Sequence, residues 1–196
     1  MQKSQYKQIT KFSTYNYLSL DNHCILFWYD FGEFSMEKWA AVLVFTRIAN
    51  DRAFRILRTQ QQLGYIVYAQ ANAKFLTNSF KLVIQGSEEN PDFFEQAIEK
   101  FWADFEIDQE LIENTIEKVS QSLLWPYESL DNLFFDTWKE IYLGRYTFGF
   151  NELLAPYVQN IKLKEITDMI EMIKEKKSQI EIKIYKQVSE ILMANI

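Results

Sequence analysis

The chain is poor in the residues that build most catalytic and metal centres. Its 196 residues include one cysteine, Cys24, and one histidine, His23. A single thiol closes no internal disulfide, which suits a reducing compartment. A metal site needing three or four ligands would have to draw almost wholly on carboxylates, so a zinc enzyme made from this chain alone is not expected. The two residues are consecutive in NHCILFWYDF, which reads as a strand, so their side chains point to opposite faces and cannot form a dyad. They read as a strand-end imidazole and a packed thiol. Glycine and proline are also scarce, five and three. Gly32, Gly64, Gly86, Gly144 and Gly149 are too scattered to make a phosphate-cradling loop. No apolar run approaches the roughly 20 residues of a membrane span, and the polar, Tyr-rich start lacks a signal-peptide core. Basic residues are in the minority, 21 against 27 acidic ones, and the net charge of -6 disfavours a phosphate-backbone binder. The expectation is a cytoplasmic protein with neither nucleic acid nor membrane as a partner.

What the chain does have is apolar and aromatic mass, 48% and 16% of its residues, enough for one sizeable core. In residues 24–31 Cys24, Leu26 and Trp28 alternate with Ile25, Phe27 and Tyr29, apolar on both faces, which predicts a central strand covered on both sides. Ser35 is placed to cap a long buried helix through AAVLVF, continuing into a helical stretch AFRILRT that Arg58 ends. Gly64 opens a strand, YIVYAQANAKF, and Asn78 with Ser79 predicts the turn into FKLVIQG, a hairpin partner. Asn90 and Pro91 start an amphipathic helix with the stripe Phe94, Ile98, Phe101, Trp102 and Phe105. Asp108 caps another, interrupted at Pro126, and Ser129 starts a third with Leu130, Leu133, Phe134, Trp138, Ile141 and Tyr142 on one side. A short helical turn over 152–157 and a helix from Lys162 follow. Aromatic stripes of this spacing read as core or as the contact to a neighbouring domain. The last element, QIEIKIYKQV, alternates Ile180, Ile182 and Ile184 with Glu181 and Lys183, predicting a strand whose charged face is wet. Together these give an α+β domain, a mixed sheet of about four strands covered by helices.

The segment 54–67, FRILRTQQQLGYIV, resembles the LRT..QLGY.V segment in the C-terminal half of the insulysin and pitrilysin zinc metallopeptidases, the inverzincins. The likeness extends over residues 21–188, leaving 1–20 as a polar leader or linker and 189–196 as a tail. It implies the LuxS/mitochondrial-processing-peptidase-like metallohydrolase fold with a mostly antiparallel sheet. In that family four such domains enclose a peptide chamber, and this chain resembles the fourth. The zinc sits in the first domain on His-x-x-Glu-His, which a chain with one histidine cannot contain. The resemblance therefore implies no catalytic residue, metal ligand or cofactor in this chain, with zinc held by a partner domain. The implied partners are peptide substrates and zinc-bearing N-terminal domains of the same polypeptide or of a related subunit.

By the same resemblance Arg58 and Tyr65 reach the substrate near the zinc, and Gly64 permits the turn between them. A guanidinium and a phenol are suitable donors to a substrate backbone whose scissile oxygen gains negative charge. The residues alone leave a second reading, with Arg58 on helix-end carbonyls or a carboxylate and Tyr65 in the core. At the level of the whole chain the alternative is a free-standing pseudoenzyme serving as a scaffold or interaction subunit.

Overall fold

The structure, a computed structural model, describes residues 10–15, 21–72 and 77–186. Two strands, β1 (Thr10–Tyr15) and β2 (His23–Glu33), precede helix α1 (Met36–Ala53). Ser35 caps α1 by accepting from the Lys38 amide at 3.2 Å. Apolar residues around most of its circumference, from Trp39 to Ala53, are buried. A π-helical turn (Phe54–Gln60) follows, then the antiparallel pair β3 (Ile66–Asn72) and β4 (Thr77–Gly86). Helices α2 (Pro91–Ala103), α3 (Gln109–Leu123), α4 (Leu130–Tyr142), α5 (Phe150–Gln159) and α6 (Leu163–Lys174) lead to β5 (Gln179–Tyr185). Asn90, Asp108 and Ser129 cap α2, α3 and α4 as their positions predict. No helix among the described residues is long and apolar enough to cross a membrane.

The sheet order is β1-β5-β2-β4-β3, with β1 parallel to β5 and the other pairings antiparallel. It has five strands where the sequence predicts about four. The extra one comes from the stretch read as a polar leader, because the six exposed residues of β1 carry no burial pattern to betray a strand. Asn78 and Ser79 make no turn: both are buried inside β4, with Asn78 Nδ2 donating to the Glu33 carbonyl at 3.1 Å and Ser79 Oγ to the Asn72 carbonyl at 2.9 Å. The end of the predicted strand after Asn72 and the tail 189–196 lie outside the described residues.

The helices stack on one face of the sheet. Ile25, Phe27, Tyr29 and Phe31 of β2 are buried beneath them, and the first three pair across the ladder with Ile84, Leu82 and Phe80. Phe45 of α1 meets Phe80 at 4.9 Å between ring centroids, and Trp102 of α2 donates to the Tyr29 hydroxyl at 3.1 Å. That satisfied hydrogen bond lets the phenol sit in the core. Burial pushes the Tyr29 hydroxyl far above its ordinary range.

Two expectations about coverage are corrected. β2 is central, but its second face is not sealed: Cys24, Leu26 and Trp28 remain half-buried. In β5 the coverage is the reverse of the predicted one. Glu181 and Lys183 pair with Phe27 and Ile25 on the helix side and are buried, whereas Ile180, Ile182 and Ile184 lie on the open side. Charges are tolerated beneath α2 because they pair there. Lys183 Nζ reaches Asp92 Oδ1 at 2.7 Å and Glu95 Oε2 at 2.5 Å, and Lys11 of β1 reaches Glu95 at 2.6 Å and Glu181 at 3.0 Å.

Candidate substrate-contact site

The segment carrying Arg58, Gly64 and Tyr65 is built by a widening of the helix. After Ala53 the chain opens into the π-helical turn, whose end is set by the Gln61 amide donating to the Ile56 carbonyl at 2.9 Å. The Leu63 amide then donates to the Leu57 carbonyl at 3.0 Å, and both leucines are buried. The loop is thus pinned at its base by two apolar anchors and a hydrogen bond. The polar Gln60, Gln61 and Gln62 are exposed, as such a run should be.

Gly64 serves a close approach. The backbone turn itself falls on Gln62, whose φ is 54°, whereas a Cβ on Gly64 would stand 2.2 Å from the Gln85 carbonyl oxygen. Gly86 faces it, and a Cβ there would stand 2.6 Å from the Leu63 carbonyl oxygen. Two glycines let the incoming loop lie backbone to backbone on the end of β4.

That approach places Tyr65 at the edge of the open face. Its ring is 51% exposed, and its hydroxyl accepts from Gln85 Nε2 at 2.6 Å. Tyr65 is not a core residue. Arg58 is exposed on the same pinned loop, with its guanidinium 4.6 Å above the Phe54 ring. It makes no ion pair among the described residues, so its donors are not spent on a carboxylate.

Gln85 links this loop to the open side of the sheet, where the ladder sets Cys24 beside Gln85, Leu26 beside Val83 and Trp28 beside Lys81. Ile66 and Tyr68 flank them on β3, and Ile180, Ile182 and Ile184 on β5. Phe12, 56% exposed, continues the face onto β1 opposite Ile182. The result is an apolar, aromatic-bearing surface with Tyr65 at one edge. Burial pushes the Cys24 thiol up, so it is a packing group rather than a nucleophile. His23 is buried, its Nδ1 accepts from the Lys186 amide at 3.1 Å, and burial together with nearby Lys186 holds it neutral. Among the described residues no three His, Cys, Asp or Glu side chains are grouped to hold a metal ion. Chemically the arrangement can present hydrogen-bond donors and an apolar wall to an extended peptide.

Sequence reasoning singled out Arg58, Gly64 and Tyr65 but missed Gln85, Trp28, Tyr68 and the isoleucines of β5. The regular alternation of β5 announced two unlike faces, without saying which one the helices would cover.

Known proteins resemble this chain in sequence and in fold. Residues 44–133 match the family described as PQQ synthase PqqF-like, C-terminal lobe domain 4. The chain is 27% identical over 155 residues to the A-factor-processing enzyme of Saccharomyces cerevisiae, covering 76% of this chain and 15% of that protein. It is 27% identical over 132 residues to a nardilysin-like protein of Arabidopsis thaliana, covering 65% of this chain and 13% of that one. The fold superposes on pitrilysin with a TM-score of 0.76 at 15% identity, over 94% of this chain and 20% of pitrilysin. It superposes on an M16 peptidase inactive domain from Pseudomonas fluorescens with a TM-score of 0.68 at 10% identity, over 93% of this chain and 44% of that one. The α+β domain is therefore of the M16 metallopeptidase fold class. Within that class, its sequence is similar to C-terminal lobe domain 4 of the PqqF-like family and to the A-factor-processing enzyme. It spans only about a seventh of the curated relatives it matches.

Proposed function

We propose that the chain is the non-catalytic C-terminal domain of an insulysin-like zinc metalloendopeptidase. In this reading its open sheet face lines the peptide chamber. Arg58 and Tyr65 donate to the substrate backbone near a zinc that another domain holds. The observation that carries the reading is the exposure of both donors on one pinned loop, with the Tyr65 hydroxyl tied through Gln85 to an apolar sheet face. An extended peptide placed there would lay apolar side chains on Trp28, Tyr68 and Ile182 while its carbonyls meet the guanidinium and the phenol. Zinc is the cofactor of the partner domain, which would polarise the scissile carbonyl. Cytoplasmic residence belongs to the same proposal and is supported by the single unpaired Cys24.

In the peptidase assembled with zinc-bearing domains, Arg58→Ala is expected to lower peptide turnover by about ten- to a thousandfold, the range for loss of one oxyanion donor. Tyr65→Phe is expected to lower turnover with the melting temperature unchanged, since its hydrogen bond is exposed. Unaltered turnover in both variants would remove the donor role.

The second reading, a free-standing scaffold or interaction subunit, is favoured by the aromatic surface of α4, where Phe135, Trp138 and Tyr142 stand in solvent. An immunoblot of source cells separates the two. A band several times larger than 23.5 kDa supports the peptidase domain, and a band at that size the free-standing subunit.

A further inference from the structure

Helix α4 is inverted relative to an ordinary surface helix. Its apolar residues, among them Leu130, Phe134, Phe135, Trp138 and Tyr142, are exposed, and its one buried side chain is the charged Glu140. Polar contacts hold it to the body. Arg145 Nε donates to Glu140 Oε2 at 3.0 Å, with the guanidinium 4.2 Å above the Phe150 ring. Tyr127 Oη and Asn151 Nδ2 donate to Asp136 Oδ2 at 3.1 and 3.3 Å. A helix of 13 residues is marginal without a packed apolar face, yet this one turns its apolar face away from its own domain. Phe134 and Trp138 stack on each other at 6.4 Å, presenting a preformed aromatic ridge. Trp125, 70% exposed, stands in solvent just before the helix.

We propose that α4 is the docking ridge for a companion protein domain whose apolar groove is rimmed by Lys and Arg. Charge selects that occupant. With Glu140 and Arg145 buried against each other, Glu128, Asp131 and Asp136 stand against Lys139, a net acidic surround. An anionic lipid surface would repel it, since interfacial helices rely on basic residues beside their apolar face. A basic-rimmed protein groove complements it. Aromatic and leucine side chains in a polar rim also have the composition of an interface core. Length points the same way: this fold makes up 44, 43 and 45% of three solved chains, each leaving room for a companion of similar size. The inference rests on the reading of the chain as one domain of a larger assembly. It does not depend on Arg58 or Tyr65.

The test is site-specific photocrosslinking in source cells, with benzoylphenylalanine at Phe135 of the full polypeptide and the adduct mapped by mass spectrometry. The expected adduct is to an apolar segment flanked by Lys or Arg, in another domain of the same polypeptide or in a separate subunit. Its yield is expected to fall at least tenfold with Trp138→Glu and to persist with Trp28→Glu on the sheet. Adducts to lipid, to α4 of a second copy or to an acidic segment, a yield indifferent to Trp138→Glu, or no adduct would each overturn the proposal. Trp138 is 51% exposed, so the melting temperature of Trp138→Glu in this chain alone should match that of the unaltered chain, separating lost docking from lost folding. Loss of peptide turnover in the Arg58 and Tyr65 variants with the α4 adduct intact, or the reverse, tells the two proposals apart.

Discussion

On the helix-covered side of the sheet Tyr29, Phe45, Phe80 and Trp102 close into one ring cluster, while on the other side Phe12, Trp28, Tyr68 and Ile182 stay partly in water. The residue types are alike and the strands are the same. What differs is the layer above them. On the first side apolar area is removed from water and rings interlock, so each side chain stabilises the fold. On the second, apolar area is kept in reserve, at a cost that makes sense if another surface or a peptide covers it.

The largest effect should come from breaking the covered side. Phe45→Ala leaves a cavity among Phe31, Phe80, Trp102 and Phe105, and chemical denaturation should show a loss of about 4 kcal/mol.

Next comes the charged patch beneath α2. Lys183→Met leaves Glu181 and Glu95 with Lys11 as their remaining cation and strips Asp92 of its lysine, and the loss should be about 3 kcal/mol at neutral pH. The pH dependence sharpens the point. A hydrogen bond from Lys183, joined by one from Tyr185, holds the Asp92 carboxyl below its ordinary range. Burial pushes Glu95 up, but the bonds from Lys11 and Lys183 outweigh it and the net displacement is downward. Burial pulls Lys183 down, and the bonds it donates to Asp92 and Glu95 outweigh that, raising it. Carboxyls with depressed values contribute stability above their unfolded range and lose it as pH falls through the folded one. The raised lysine keeps its share until strong alkali. Stability should therefore drop below about pH 5, and Lys183→Met should flatten that slope. An unchanged slope in urea midpoints across pH 3 to 6 would remove the network as its cause.

The smallest effect on stability should come from the open side. Trp28→Ala should cost clearly less than Phe45→Ala, because its ring is only partly buried. If the chain lines a peptide chamber as proposed, the same change should weaken peptide binding by the assembled protein about tenfold, measured by fluorescence titration. A large stability loss with normal binding would make the two faces equivalent and undo the contrast.

Much of this was legible in the chain. Ser35, Asn90, Asp108 and Ser129 cap the helices that their spacing marks. The stripe Phe94, Ile98, Phe101, Trp102 and Phe105 is buried throughout, because a period near 3.6 puts those side chains on one side. Arg58, Gly64 and Tyr65 were also visible, through a contiguous segment that resembles a family. What was hidden depends on partners distant in sequence. β1 is a strand because β5 offers it an edge, and Asn78 is buried because Glu33 receives its amide. The stripe of α4, which by spacing could be core or a contact, stands in solvent. Nothing in its own residues distinguishes the two.

By itself the sequence determined which residues share a side: alternation in the strands and three-four spacing in the helices follow from backbone geometry alone. It also determined the chemistry excluded, since one histidine and one cysteine bound what can be built. Only the tertiary structure decided which of the two sides is covered. For β5 it buried Glu181 and Lys183 under α2 and left the isoleucines open, because Asp92, Glu95 and Lys11, all distant from β5 in the chain, converge to neutralise the charges. Burial is settled by the neighbours a side chain meets, and those neighbours are assembled by the fold.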